Sequence, residues 1–164
     1  MKKFLTVLLL AAMLCCGLCA AASALGQGSA LSRAQTYLSL MPFSRSGLID
    51  QLEYEGFSTA EAEAAVDACG ADWNEQAALK AVSYLELMGF SYSGLVKQLE
   101  FEGFTHEEAT YGVDRCGADW NEQAVRKAKS YLELMSFSRA QLISQLEYDG
   151  FSHSQAEYGA SMAY

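Results

Sequence analysis

The order of apolar and polar positions along the chain predicts helices and no sheet. From Trp73 onward, apolar residues recur three and four positions apart, which is the spacing of one face of a helix. They are Ala77, Ala81, Tyr84, Leu85 and Met88. A shorter helical face runs through Leu48, Ile49 and Leu52. No stretch keeps the strict alternation of a half-buried strand, so we expect an all-α chain.

This pattern repeats with a period of 47 residues. Residues 30–76 align without gaps with residues 77–123, and 29 of the 47 positions are identical. A third copy, residues 124–164, stops where its Cys-Gly-Ala-Asp-Trp block would begin and is therefore truncated. A period of this length is typical of stacked helical units that bury their cores against neighbours. We therefore predict tandem three-helix (helix-turn-helix) repeats joined by long shared helices.

Capping signals place the helix boundaries within each repeat. Ser58-Thr59-Ala60-Glu61 has the spacing of a capping box, in which the first and fourth residues each bond the backbone of the other. The same spacing recurs at Thr105–Glu108, at Ser152–Gln155 and at the start of the long helix, Asp72–Glu75. Gly56 is expected to end the middle helix in the left-handed conformation.

The first 24 residues read as a secretory signal peptide. A basic start is followed by an apolar run, Phe4 to Leu14, and then by small residues that end in Ala22-Ser23-Ala24. We predict cleavage after Ala24, and cleavage after Ala22 is the alternative. Residues 25–29 should then form a flexible linker. A lipoprotein signal is the other alternative, although none of the three cysteines in this segment has leucine three positions earlier.

Composition narrows the classes of function. The full chain has a net charge of −9, and the mature chain would carry nine basic and 20 acidic residues, a net charge of −11. Binding to DNA or RNA depends mainly on Lys and Arg, so this charge argues against nucleic acid despite the helix-turn-helix units. The 51% apolar content argues against disorder.

The residues most often used in catalysis or metal binding carry weak signals. Cys69 and Cys116 occupy the same slot in two repeats, about 24 Å apart if the long helix separates them, which favours two thiols over a disulfide. His106 and His153 share a solvated slot at a helix start that holds Thr59 in the first copy. We therefore expect no enzyme, no cofactor and no metal.

Other repeated residues are candidates for binding or for structure. Trp73 and Trp120 could grip a ligand, but we favour structural anchors that fix each long helix on the preceding helices. A polar and aromatic strip on the middle helices is a candidate partner-binding surface. It contains Gln51, Glu53, Tyr54, Gln98, Glu100, Phe101, Gln145, Glu147 and Tyr148. Capping, an interhelical hydrogen bond or recent duplication would equally explain its repeated polar residues.

Three linked blocks of each repeat resemble a known family. They are Tyr-Leu-x-Leu-Met-x-Phe-Ser, Gln-Leu-Glu-Tyr-Glu-Gly-Phe and Gly-Ala-Asp-Trp-Asn-Glu-Gln-Ala. Together they resemble the Ltp family of bacterial and prophage host cell surface-exposed lipoproteins over residues 30–164. The resemblance implies tandem helix-turn-helix repeats outside the cytoplasmic membrane. It also implies superinfection exclusion, in which the protein blocks injection of phage DNA by engaging the phage tape measure protein.

Two functions follow as expectations. In the first, this is an envelope-associated protein that binds a phage protein and excludes incoming phage. In the second, it is a structural or adhesion protein of the envelope that binds cell-wall polymer or a host protein. Neither reading supplies catalytic residues or defines an oligomeric state.

The signal-peptide reading predicts the first residue of the mature chain. Expression in a bacterial host that exports the protein should give a mature chain that begins at Leu25 with an unmodified amino group. Intact-mass and N-terminal peptide mass spectrometry measure this. A diacylglycerol-modified Cys15, Cys16 or Cys19 at the start of the chain would contradict it.

Overall fold

The computed structural model describes residues 29–164, so the predicted signal peptide and most of the linker lie outside the described residues. The described part contains nine α-helices and no strand, which confirms the all-α prediction. The helices are α1 (Ala30–Leu40), α2 (Arg45–Tyr54), α3 (Thr59–Ala68), α4 (Trp73–Leu87), α5 (Tyr92–Phe101), α6 (His106–Arg115), α7 (Trp120–Leu134), α8 (Arg139–Tyr148) and α9 (His153–Ala163). None of these helices is long and apolar enough to cross a membrane.

The helices form three groups of the same kind, which we call unit 1 (α1–α3), unit 2 (α4–α6) and unit 3 (α7–α9). Counted from its first helix, unit 3 contains all three helices. The third copy is shorter in the sequence alignment because its boundary was placed after Gln123. The start of α7, which contains Trp120, was therefore counted with the second copy.

Local capping sets the helix ends much as the sequence indicates. Ser58, Thr105 and Ser152 each form a complete capping box with the residue three positions later. Asp72 accepts hydrogen bonds from the backbone of Asn74 and Glu75, but the predicted return bond from Glu75 is not formed. Ser29, which the sequence analysis placed in the linker, is the N-cap of α1.

Each unit has its own small apolar core. Leu48 and Leu52 of α2 are fully buried, as are the equivalent leucines of α5 and α8. Alanines line most of the contact between the first and third helix of each unit. In unit 2 this contact is close, because a Cβ atom on Gly112 would lie 2.6 Å from the carbonyl carbon of Ala77. Small residues therefore allow α4 and α6 to pack at short range.

The second helices of successive units meet end to end. The hydroxyl of Ser44, the N-cap of α2, accepts a bond from the Gly47 amide at 3.0 Å and donates one to the Glu102 carbonyl of unit 2 at 2.6 Å. Ser91 repeats this arrangement with the Asp149 carbonyl of unit 3 at 2.5 Å. The carbonyl end of α5 thus faces the amide end of α2, and the carbonyl end of α8 faces the amide end of α5, an orientation that helix dipoles favour.

The first helix of each following unit closes the junction from the side. Trp120, the first residue of α7, packs on the core of unit 2, with its ring 5.5 Å from that of Tyr92. Gly89 lies so close to α7 that a Cβ atom on it would be 2.5 Å from the Gln123 carbonyl oxygen. Arg126 donates to the carbonyls of Leu85 and Glu86 at the end of α4. This junction is therefore a packed interface with polar bonds at its edge.

The close contact between α4 and α6 predicts an unusual response to alanine. Gly112→Ala should lower the free energy of unfolding by about 1–3 kcal/mol, because the added methyl group meets backbone atoms of Ala77. In an open helix position the same change would stabilise the protein by about 1 kcal/mol. Chemical denaturation followed by circular dichroism measures the difference.

Unit 1 provides the matched control. It carries Ala65 at the position of Gly112, and this alanine is buried in the core of unit 1. Ala65→Gly should therefore destabilise by about 1 kcal/mol. The close-packing argument would be wrong if Gly112→Ala were as stable as the wild type or more stable.

Candidate functional site

The candidate strip lies on the three second helices, α2, α5 and α8. Its aromatic residues hold the equivalent position near the end of each helix, and all three project into solvent. Tyr54 is 73% exposed, Phe101 76% and Tyr148 87%. Exposure of a large aromatic side chain at one position of every unit is a property that packing does not explain.

The three glutamines of the strip are engaged inside the protein. Gln51 is half-buried and donates a hydrogen bond to the hydroxyl of Tyr37 on α1 at 3.2 Å. Gln98 makes the same bond to Tyr84 at 3.2 Å. Gln145 donates to Tyr131 at 3.5 Å. The interhelical hydrogen bond that the sequence analysis left open is therefore present in all three units.

Each of these tyrosines also bonds an acidic residue at the end of the second helix. Tyr37 donates to Glu55, and Tyr84 donates to Glu102. In unit 3, Tyr131 donates to Asp149 at 2.6 Å. Burial, together with this bond to Asp149, raises the pKa of the Tyr131 hydroxyl well above its usual range, so the group stays a donor.

A basic residue of the first helix completes the cluster in two units. Arg33 pairs with Glu55 at 3.1 Å, and Lys80 pairs with Glu102 at 3.0 Å. All four groups are mostly shielded from solvent. Because the acid, the base, the tyrosine and the glutamine satisfy one another, this cluster ties the first helix to the second and leaves the neighbouring aromatic residue free for contact.

The glutamates of the strip differ in their surroundings. Glu100 and Glu147 are exposed and accept hydrogen bonds from the rings of His106 at 2.7 Å and His153 at 2.6 Å. Glu53 is half-buried, and Thr59 stands where the other two units have a histidine. The histidines are exposed at the first positions of α6 and α9, as the sequence indicated. The sequence analysis did not find their pairing, although both glutamates lie six residues before a histidine.

The hydrogen bond to Glu147, followed by the nearby charges of Glu157 and Glu147, raises the pKa of the His153 ring above 6.5. A charged His153 offsets the negative charge of Glu147 beside Tyr148. The local charge of the strip at unit 3 therefore depends on pH.

Trp73 and Trp120 are half-buried rather than free in solvent. Trp73 packs on the core of unit 1 and Trp120 on the core of unit 2. Each is the first residue of the first helix of the next unit. They lie at the junctions between units, away from the exposed rings of the second helices.

A second set of exposed apolar residues was not predicted from the sequence. Leu40, Leu87 and Leu134 end the first helices of the three units and are between 61% and 69% exposed. Their signal in the sequence was the second leucine of the Tyr-Leu-x-Leu-Met block, which repeats in every unit although the helix ends there.

The thiols and acids offer no metal centre among residues 29–164. Cys69 and Cys116 are free, half-buried and located at the ends of α3 and α6. Burial raises the pKa of the Cys116 thiol, which disfavours its reactive thiolate form. No group of three potential ligand residues in this part of the chain comes together.

The fold and the strip define an all-helical repeat protein with an exposed aromatic residue on each unit. The family model of the Ltp host cell surface-exposed lipoproteins matches residues 27–68, 72–115 and 119–161, one match for each unit. The chain therefore belongs to this family, whose description places its members on the host cell surface. No curated protein and no solved structure matches the chain.

The contacts of His153 predict its titration. Glu147→Gln should lower the pKa of His153 towards 6.5, since it removes the largest cause of the upward shift. Two-dimensional NMR of the imidazole ring over pH 5–9 measures this. Glu157→Gln should lower it less. An unchanged pKa in Glu147→Gln would contradict the assigned contact.

The sign of the linkage follows from the raised pKa. The His153 pair stabilises the fold below pH 6.5, and this contribution is lost as the pH rises through the pKa of His153 in the folded protein.

Proposed function

We propose that this protein is a non-enzymatic binding protein of the cell envelope that excludes phage. Its row of Tyr54, Phe101 and Tyr148 would hold a segment of an incoming phage protein, for which the tape measure protein is the candidate, and so stop DNA injection. The observation that carries the proposal is the exposure of an aromatic ring at the same position of all three units.

Repetition supports one extended partner rather than three small ligands. Each second helix has ten residues, about 15 Å at 1.5 Å per residue, and successive helices meet through the Ser44 and Ser91 bonds. The three rings would then be roughly 15–20 Å apart. A helical partner would need an apolar anchor about every 10–13 residues. Contact at one ring raises the effective concentration at the next.

Charge supports a basic or amphipathic partner. Residues 29–164 carry nine basic and 20 acidic side chains. Exposed Glu100 and Glu147 lie directly before Phe101 and Tyr148 in the chain. An acidic surface around apolar anchors attracts a cationic segment over several ångströms and accelerates its association.

A second candidate partner is a polymer of the cell wall. Exposed tyrosine rings present both an apolar face and a hydroxyl group, which also suits a sugar chain. In that case the protein would be a structural or adhesion component of the envelope. The two candidates share the same three rings but differ in what the rings hold.

The test removes the rings and keeps the fold. Tyr54→Ser/Phe101→Ser/Tyr148→Ser should reduce protection against a phage that the wild type excludes by at least tenfold, measured as phage DNA entry into cells expressing equal amounts of protein. Tyr111→Ser/Tyr158→Ser is the matched control, because it removes two exposed aromatics at equivalent positions of the third helices. This control should protect as the wild type does.

Two outcomes would count against the phage proposal. One is equal DNA entry in cells with and without the wild-type protein, tested over a panel of phages. The other is equal protection by the triple variant and the control. Retention of the wild type, but not the triple variant, on purified cell wall would favour the second candidate.

A further inference from the structure

The outer face of unit 3 has an open groove made of two adjoining cavities. One, of about 490 Å³, is lined by Phe137, Ser138, Arg139, Ala160, Ser161 and Tyr164. The other, of about 650 Å³, includes Met135, Ser136 and Gln145 and extends to Tyr148. Phe137 lines both cavities, and both adjoin the turn between α7 and α8.

The same positions of unit 2 are covered by a helix. The ring of Trp120 lies against Tyr92, the equivalent of Arg139. Further along α7, the Lys127 ammonium is 5.9 Å from the centre of the Phe90 ring, and Gln123 approaches Gly89. Gly89, Phe90 and Tyr92 correspond to Ser136, Phe137 and Arg139, so the part of the groove around these three residues follows the path that α7 takes across unit 2.

Unit 3 keeps Ser138 at the place of Ser44 and Ser91 but has changed two other positions of the junction. In units 1 and 2 the start of the second helix contacts the following unit through two serines and a glycine. In unit 1 these are Ser44, Ser46 and Gly47, and Ser46 donates to the Gly103 carbonyl at 2.9 Å. In unit 3, Ala140 stands at the place of Ser46 and Ser93, and Gln141 at the place of Gly47 and Gly94. The face thus keeps the path of a first helix, whereas the second serine and the glycine that meet a following second helix in units 1 and 2 are absent from it.

A charged side chain beside the groove is left without its usual partner. Arg45 of unit 1 pairs with Asp67 at 2.6 Å, and Tyr92 of unit 2 donates to Asp114 at 2.8 Å. In unit 3 the acid is replaced by Ser161, and exposed Arg139 makes no ion pair within the described residues. Residues 119–164 are also less acidic than 72–118, with four bases against six acids instead of three against eight.

The helices that cover this face in units 1 and 2 begin alike. Both α4 and α7 have an aspartate N-cap followed by tryptophan as the first helical residue. An aromatic ring at the place of Trp120 would enter the 490 Å³ cavity, which Arg139 lines, and an acidic residue at the start of such a helix would carry a charge complementary to that of Arg139.

We propose that the groove of unit 3 binds a single helix of a partner protein, one that begins with an acidic N-cap residue followed by an aromatic residue. Three observations support this occupant. The path of a first helix is retained, Ala140 and Gln141 replace the second serine and the glycine of the junction, and Arg139 has no ion pair in the described residues. The site is distinct from the row of exposed rings on the second helices, except that Tyr148 borders it.

The probe is a fluorescein-labelled peptide with the sequence of residues 117–134, which contains the Asp-Trp start of α7. Fluorescence polarisation against the protein of residues 25–164 should show saturable binding. A peptide in which alanine replaces the tryptophan should bind at least tenfold more weakly, because the ring fills the cavity.

Ser161→Asp tests the role of Arg139 without removing it. The new carboxylate recreates the pair of Arg45 with Asp67, so peptide affinity should fall at least fivefold. Ser154→Asp, the same change elsewhere on α9, should leave affinity unchanged. Circular dichroism checks that both variants keep their helices.

The proposal is overturned if no saturable binding occurs up to about 1 mM peptide, or if Ser161→Asp and Ser154→Asp bind alike. Tyr54→Ser/Phe101→Ser separates it from the proposed phage function. That variant should bind the peptide as the wild type does. Loss of phage exclusion in this variant would therefore not contradict the proposed binding of a helix in the groove.

Discussion

Two buried serine hydroxyls hold the array in register. Ser44 and Ser91 are each only 2% exposed, and each accepts a bond from its own helix and donates one to the next unit. A buried hydroxyl without partners costs free energy, so these bonds specify one arrangement of neighbouring units. They set the second helices end to end, and that arrangement places Tyr54, Phe101 and Tyr148 in a single series.

Equivalent positions of the three units can be compared with one another. The glutamines and tyrosines of the interhelical bonds are the same in all three units, and they stabilise the inside of each unit. Two other positions differ in one terminal unit. Ala65 replaces glycine where α1 begins, and Gln141 replaces glycine where no following unit contacts α8 in the structure.

Repetition of a polar residue is thus a poor guide to binding in this fold. Gln51 and its equivalents were candidates for a binding surface because they are polar and identical in all three repeats, yet each bonds a tyrosine of the neighbouring helix. The aromatic residues three positions later are the ones left in solvent. The two sets lie on the same helices and have opposite roles.

The sequence alone determined the helices, their caps and the repeat, because each depends on residues three or four positions apart or on direct identity between copies. It also carried the family resemblance. Tertiary structure alone decided which repeated residues are exposed. The Gln51–Tyr37 bond joins residues 14 positions apart, the Tyr37–Glu55 bond 18 positions, and the Ser44–Glu102 bond 58 positions. Such contacts depend on how helices pack, and no local pattern of residues encodes that packing.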